Sequence, residues 1–252
     1  RELIALLRGK QDTEVTIGFS RKVNAQALES HFELTLKRTK LTGVYLQTEL
    51  VAESVMHVKA AQCYDGLAED LVRAVQASKS PPITGLILDL RNNPGGTLNC
   101  AVATADLFLD SGKIVTTATA ELFPEARGAV TYPAGATTPL RALPTVILVN
   151  AGTASAAEII AGALQDHGRA KIVGSQTFAK GSVQTLLPPL ANGSALKITT
   201  GIYLTPNGRT FSKQGLVPDV LLAEGESAVT KALATLAKPA LAQTPGPQDN
   251  AD

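Results

Sequence analysis

The sequence predicts an α/β fold, a largely parallel sheet with helices packed on it. Two short runs, Gly85–Leu90 (GLILDL) and Pro144–Val149 (PTVILV), are almost continuously apolar, as strands covered on both faces are. Each is followed by a tight polar or glycine-containing loop and then by a helical pattern, Cys100–Leu109 and Ala156–Leu164. Strand–helix alternation of this kind is the signature of βαβ units.

The remaining elements follow in chain order. Residues 1–8 carry Leu3, Leu6 and Leu7 on one helical face, and Gly9 stops that helix. A chain that opens inside a helix is expected to be a fragment or processed form whose targeting signal is missing. Thr13–Arg21 and Phe32–Arg38 alternate apolar and polar residues, which predicts two half-buried strands. Residues 39–60 hold further strand positions (Val44, Leu46, Val55, Val58), and Gly66–Ser78 is helical through Leu67, Leu71 and Val75 until Pro81-Pro82. A short strand is expected at Ala170–Val173. A hairpin is expected to pair Val183–Leu187 with Leu196–Leu204 across Asn192-Gly193. From about Pro239 the composition is that of a disordered tail.

Bulk properties exclude several functions. The 252 residues are 44% hydrophobic and 18% charged with a formal net charge of +1, so no field draws the chain to nucleic acid or an anionic membrane. No apolar run reaches the roughly 20 residues of a membrane span. Three histidines and two scattered cysteines argue against a metal site, and no cofactor is expected. Cys63 and Cys100 have no framework spacing, which favours two buried thiols over a disulfide.

Chemistry concentrates in three segments. In Asn150-Ala151-Gly152-Thr153-Ala154-Ser155-Ala156-Ala157-Glu158 a buried strand enters a loop of small residues, and a helix starts after Ser155. A helix N-terminus offers unpaired N–H groups and partial positive charge to a developing oxyanion. Ser155-x-x-Glu158 also spells a capping box, in which the serine merely caps the helix. Lys180 lies among small and apolar residues, Thr177-Phe178-Ala179-Lys180-Gly181-Ser182, where desolvation would favour the neutral amine a base requires. Asp89-Leu90-Arg91-Asn92-Asn93-Pro94-Gly95-Gly96 ends the first buried strand, at the sheet edge where α/β folds build sites. His31, His57 and His167 follow no glycine-rich loop and have no evident carboxylate arrangement, so none competes with Lys180 as the base.

Taken together, the chain resembles the C-terminal processing peptidases, or tail-specific proteases. The family motif D-L-R-x-N-P-G-G matches Asp89–Gly96, N-x-G-[ST]-A-S-[AS]-[AS]-E-I matches Asn150–Ile159, and F-[GA]-K-G-x-x-Q matches Phe178–Gln184. The likeness continues through Thr205-Pro206-Asn207-Gly208-Arg209 and Gly215-Leu216-Val217-Pro218-Asp219, and covers roughly residues 1–222. It implies a serine endopeptidase in which Ser155 is nucleophile, Lys180 general base and Gln184 the residue that orients the lysine. The N–H of Ala156 and one from Gly95 or Gly96 would form the oxyanion hole, with Glu158 in support. Where the family usually has glycine before the lysine, this chain has Ala179.

The implied fold is a crotonase/Clp-protease-like stacked βαβ core, residues 39–238, with an adjoining partial PDZ domain. Residues 1–38 match only the C-terminal half of that PDZ domain, and 239–252 are the tail. The implied substrates are proteins or peptides with exposed C-terminal tails. An adaptor protein, a homo-oligomer and the cell envelope, as bacterial periplasm, are further implications of the resemblance. A catalytically silent scaffold with the same fold is the competing expectation.

Overall fold

In the computed structural model, residues 6–22, 29–39, 45–78, 82–119, 128–135, 138–187 and 194–237 are described. The chain divides into two compact units, Arg1–Val44 and Tyr45–Asp252.

The first unit contains β1 (Glu14–Arg21) and β2 (Ser30–Lys37), an antiparallel pair in register from Glu14 opposite Lys37 to Arg21 opposite Ser30. Of the helix predicted over 1–8 only residues 6–8 are described; Leu6 and Leu7 are helical, and the chain has left the helix by Arg8. Arg38 holds that end, its guanidinium donating to the carbonyls of Leu6, Leu7 and Glu14. Phe19 stacks on Phe32 with ring centroids 5.4 Å apart. Both predicted strands therefore exist, but they are less covered than expected. Only Val15, Ile17 and Phe32 are half-buried, and Phe19, Leu34 and Leu36 are exposed. A two-stranded ribbon has too few neighbours to cover its own apolar face.

In the second unit the core is a six-stranded sheet of order β12-β9-β8-β5-β4-β3. Its strands are β3 (Leu46–Ala52), β4 (Val55–Ala60), β5 (Gly85–Asp89), β8 (Thr145–Val149), β9 (Lys171–Gly174) and β12 (Val220–Leu221). All neighbouring pairs are parallel except β3 with β4, which form a hairpin across Glu53-Ser54. Helices α1 (Leu67–Ala77), α2 (Leu98–Asp106) and α3 (Ala156–Asp166) connect β4, β5, β8 and β9, so each βαβ unit adds its strand beside the last. Every residue of β5 and β8 is buried, as their almost continuous apolarity predicts.

Alternation along these strands feeds two cores. Leu86, Leu88, Ile147, Val149 and Ile172 join the residues of α1, α2 and α3. Ile87, Val146, Leu148 and Val173 point the other way, onto Ala228 and Ala232 of α4 (Ala228–Leu236). That helix, capped by the Ser227 hydroxyl, was not anticipated from the sequence.

A second, four-stranded antiparallel sheet has the order β10-β11-β6-β7. The predicted hairpin supplies β10 (Ser182–Leu186) and β11 (Lys197–Leu204), while its Asn192-Gly193 turn lies outside the described residues. Its other strands, β6 (Lys113–Thr119) and β7 (Ala129–Pro133), lie in a stretch whose pattern had suggested no element. The predicted tail from Pro239 also lies outside the described residues.

The expectation of two thiols is overturned: Cys63 and Cys100 form a disulfide, Cα–Cα 5.9 Å. Thirty-seven residues apart, they could not be paired by spacing. The parallel topology brings the segment after β4 against the first turn of α2, within the separation a disulfide spans.

Candidate active site

The loops that leave the C-terminal ends of β5 and β8 meet and are bonded to each other. After β5, Leu90 and Asn93 offer carbonyls that accept from the Thr153 hydroxyl (2.8 Å) and the Ala154 N–H (2.9 Å). Asn92 and Asn150 clasp reciprocally: Asn150 Oδ1 accepts the Asn92 N–H at 2.9 Å, and Asn150 Nδ2 donates to Asn92 Oδ1 at 3.0 Å. Asn93 is fully buried, its amide donating to the Ala60 carbonyl and accepting the Gly95 N–H, both at 2.9 Å. Side-chain amides thus satisfy the turn's backbone and leave it little freedom.

Ser155 stands at the junction with φ 57° and ψ −120°, outside the regions a serine prefers. The capping-box arrangement with Glu158 is present, and its strong half is the Ser155 N–H donating to Glu158 Oε2 at 2.8 Å. The other half, the Glu158 N–H towards the Ser155 hydroxyl, is loose, and the same N–H donates to the Ser155 carbonyl at 2.8 Å. The serine therefore begins the helix with its hydroxyl in the capping position but only loosely held there.

Gly95 presses against this residue. A Cβ on Gly95 would lie 2.8 Å from Ser155 Cβ, 2.7 Å from the Ala154 carbonyl oxygen and 2.8 Å from the Ala156 nitrogen. Its φ of 95° also suits only glycine. Because Asn93 takes the Gly95 N–H, the amides next to Ser155 that meet no acceptor among the described residues are those of Gly96 and Ala156.

Glu158, wholly buried, is the hub of the site. Besides the Ser155 N–H, its Oε2 accepts the Lys180 N–H at 2.9 Å. Its Oε1 accepts the Thr177 hydroxyl at 2.6 Å and the Ala179 N–H at 2.9 Å. One carboxylate so ties the backbone of the serine to the loop that carries the lysine, and the Phe178 N–H adds a 2.9 Å bond to the Thr153 carbonyl. Four donors around the Glu158 carboxyl offset its removal from water.

The side chains of the predicted base and its partner are not gathered in. Lys180 is exposed, where the apolar character of its loop had suggested burial. Gln184 is exposed as well and donates to Thr199 Oγ1 (2.5 Å) and Ser182 Oγ (3.4 Å) rather than to the lysine. The reason is local: Glu158 fixes the main chain of residues 179–180, and Ala179 is held at φ 77°, which leaves the Lys180 side chain outside the carboxylate's cradle. That positive φ also explains why glycine suits the position better.

A second network, buried at His57 and Asp89, was missed from the sequence. His57 on β4 bonds Asp89 Oδ2 through Nε2 (3.0 Å) and Glu49 Oε1 through Nδ1 (2.8 Å). Asp89, fully buried, also accepts from Arg91 through Nε (2.9 Å), Nη2 (2.6 Å) and the backbone N–H (3.0 Å). Burial works against the Asp89 charge, but the bonds from His57 and Arg91 prevail and hold its pKa at about 2. The bond to Asp89 outweighs burial at His57 too and raises its pKa above the ordinary value, with Glu49 adding to the effect. The sequence did carry one signal: a two-residue turn at Glu53-Ser54 sets Glu49 directly opposite His57. Asp89 arrives from a parallel strand, and no local rule could have supplied it.

An α/β core that strains a serine at a helix start, beside a glycine turn whose Gly96 amide meets no acceptor among the described residues, has the build of a serine-nucleophile hydrolase. Residues 55–222 match the model of peptidase family S41. The chain is 34% identical over 227 residues to a carboxy-terminal-processing protease of Bartonella bacilliformis, covering 88% of this chain and 50% of that one. It is 32% identical over 226 residues to the carboxy-terminal processing protease CtpA of Bacillus subtilis, covering 87% and 45%. Among solved structures, a photosystem II D1 C-terminal processing protease superposes with a TM-score of 0.69 at 29% identity, over 95% of this chain and 63% of that one. The chain belongs to peptidase family S41, among the C-terminal processing peptidases, and spans about half the length of those two sequence relatives.

Proposed function

We propose that this chain carries the catalytic centre of a serine endopeptidase that cleaves proteins chosen by their C-terminal tails. The observation that carries the reading is Ser155: strained at the start of α3 and packed against Gly95, with the amides of Gly96 and Ala156 meeting no acceptor among the described residues. In the proposed reaction neutral Lys180 takes the Ser155 proton and the alkoxide attacks the scissile carbonyl. The two amides hold the oxyanion, and Lys180 returns the proton to the leaving amine; water then releases the acyl group by the same route. Gln184 orients the lysine in that assembled state and Glu158 positions the loop. Substrate engagement draws the Lys180 amine from solvent towards Ser155, since apo geometry often precedes the catalytic one.

The same reading assigns residues 1–38 to the C-terminal part of a PDZ domain and 39–238 to the protease core of crotonase/Clp type. Export to the bacterial envelope, a homo-oligomer and an adaptor are further parts of it, drawn from the family.

Exposed Lys180 and the Gln184–Thr199 bond favour a second reading, a scaffold that keeps the fold without turnover. Hydrolysis of an unfolded protein, with fluorophosphonate labelling of Ser155, separates the two. Ser155→Ala and Lys180→Ala are each expected to abolish turnover, by at least about 10³-fold, with the melting temperature little changed. Near-normal cleavage in either variant refutes the dyad, and absence of both cleavage and labelling in the native chain establishes the scaffold.

A further inference from the structure

We infer that the Cys63–Cys100 disulfide is a positioning element of the active site, fixing the Gly96 amide against Ser155; the inference rests on the serine-protease reading above. Cys63 lies beyond the end of β4 and pairs its backbone with the turn: its N–H donates to the Gly95 carbonyl at 3.0 Å, and Cys63 and Gly96 form an isolated parallel bridge. The approach is so close that a Cβ on Gly96 would lie 1.6 Å from the Cys63 carbonyl oxygen. Gly95, one residue earlier, packs on Ser155 and Ala156. Movement of the Cys63 backbone therefore moves the turn, and the turn is in van der Waals contact with the nucleophile.

Cys100 grips the same turn from its other end. Thr97, directly after Gly96, caps α2 by accepting the Cys100 N–H on Oγ1 at 3.1 Å, and its hydroxyl donates to Asp65 Oδ1 at 2.8 Å. The disulfide thus joins the two flanks of Gly95-Gly96, and both sulfur-bearing residues are buried in the core. Many weak contacts could hold such a turn in place on average. A covalent link across its flanks narrows the spread of positions, and an oxyanion donor loses its effect when displaced by a fraction of an ångström.

The effect falls on the chemical step, since the oxyanion is absent from the bound substrate and develops only on the way to the tetrahedral intermediate, so kcat should fall while KM is held. Reduction is balanced by the added dithiol: dithiothreitol gives two electrons and two protons to the bond, which becomes two thiols, and leaves as its cyclic disulfide.

The test compares native protein, protein reduced with dithiothreitol and reoxidised, and the double variant Cys63→Ala/Cys100→Ala, all at a temperature far below unfolding. Each form is read by kcat and KM on one unfolded substrate, by circular dichroism and by thiol count. The expected result is a kcat at least about tenfold lower in the reduced and double-variant forms, against the 10²–10³ of losing such a donor outright. KM stays within about twofold, the fold is retained and kcat returns on reoxidation. An unchanged kcat in either disulfide-free form overturns the inference. So does a loss of kcat that only accompanies loss of the folded spectrum, because the bond is then purely structural. Failure of the underlying reading looks different: the native, oxidised protein would itself not cleave, and Ser155→Ala would match it.

Discussion

At the scale of single residues, the site depends on the positive-φ backbones of Ser155 and Ala179 and on one carboxylate. Ala179 sits at φ 77°, in a region where a Cβ costs roughly 1–2 kcal/mol. Ala179→Gly removes that clash while adding unfolded-state entropy, so a net gain of up to about 1 kcal/mol is expected in denaturant unfolding. The variant also frees the residue before Lys180, and cleavage is expected to be maintained or raised. Glu158 presents four acceptor sites, and all four are filled. Glu158→Gln keeps the shape but turns one oxygen into a donor facing N–H groups, at about 1–3 kcal/mol for each donor left unpaired. Unfolding midpoints should fall accordingly, and kcat should fall by at least about tenfold because the serine and lysine loops lose their common anchor.

Between elements, the chain Glu49–His57–Asp89–Arg91, buried at His57 and Asp89, joins β3, β4 and β5. Its pH dependence follows from the two displaced groups. The Asp89 contribution, on the order of 2 kcal/mol, is present above its unfolded value of 3.8 and is lost as pH falls through about 2. The His57 pKa is raised, so its contribution is complete below the unfolded value of 6.5 and is lost as pH climbs through the folded one. Both act together between about pH 4 and 6.5. The stability difference between native protein and His57→Gln, from urea titrations, should therefore be largest in that window and shrink towards alkaline pH. A difference that grows with pH would reverse the sign assigned to His57.

For the whole molecule, stability rests on one sheet with cores on both faces and on a covalent tie across one of them. Leu148 is fully buried between β8 and α4, and Leu148→Ala should cost about 2–5 kcal/mol in chemical denaturation. The same loss in kcat is not expected, since Leu148 faces the core opposite to α3. Removing the disulfide opens a loop of 37 residues, for which the chain-entropy relation gives roughly 4 kcal/mol. These two costs should nearly add, as the sites lie in separate cores.

The sequence by itself determined the buried strands β5 and β8, the helices that follow them and the placing of Ser155 at a helix start. Each is written in local periodicity or in contiguous small residues, and three ordered motifs carried the family. It did not disclose β6, β7 or α4, whose residues acquire meaning only against the surfaces they cover. Nor could it pair Cys63 with Cys100, bring Asp89 to His57 or reveal Glu158 as the anchor of the lysine loop. Those contacts join residues 19 to 37 positions apart on different elements, and strand order and register decide them. The exposure of Lys180 was likewise settled by folding, because Glu158 claims the backbone of its loop and leaves the amine to solvent.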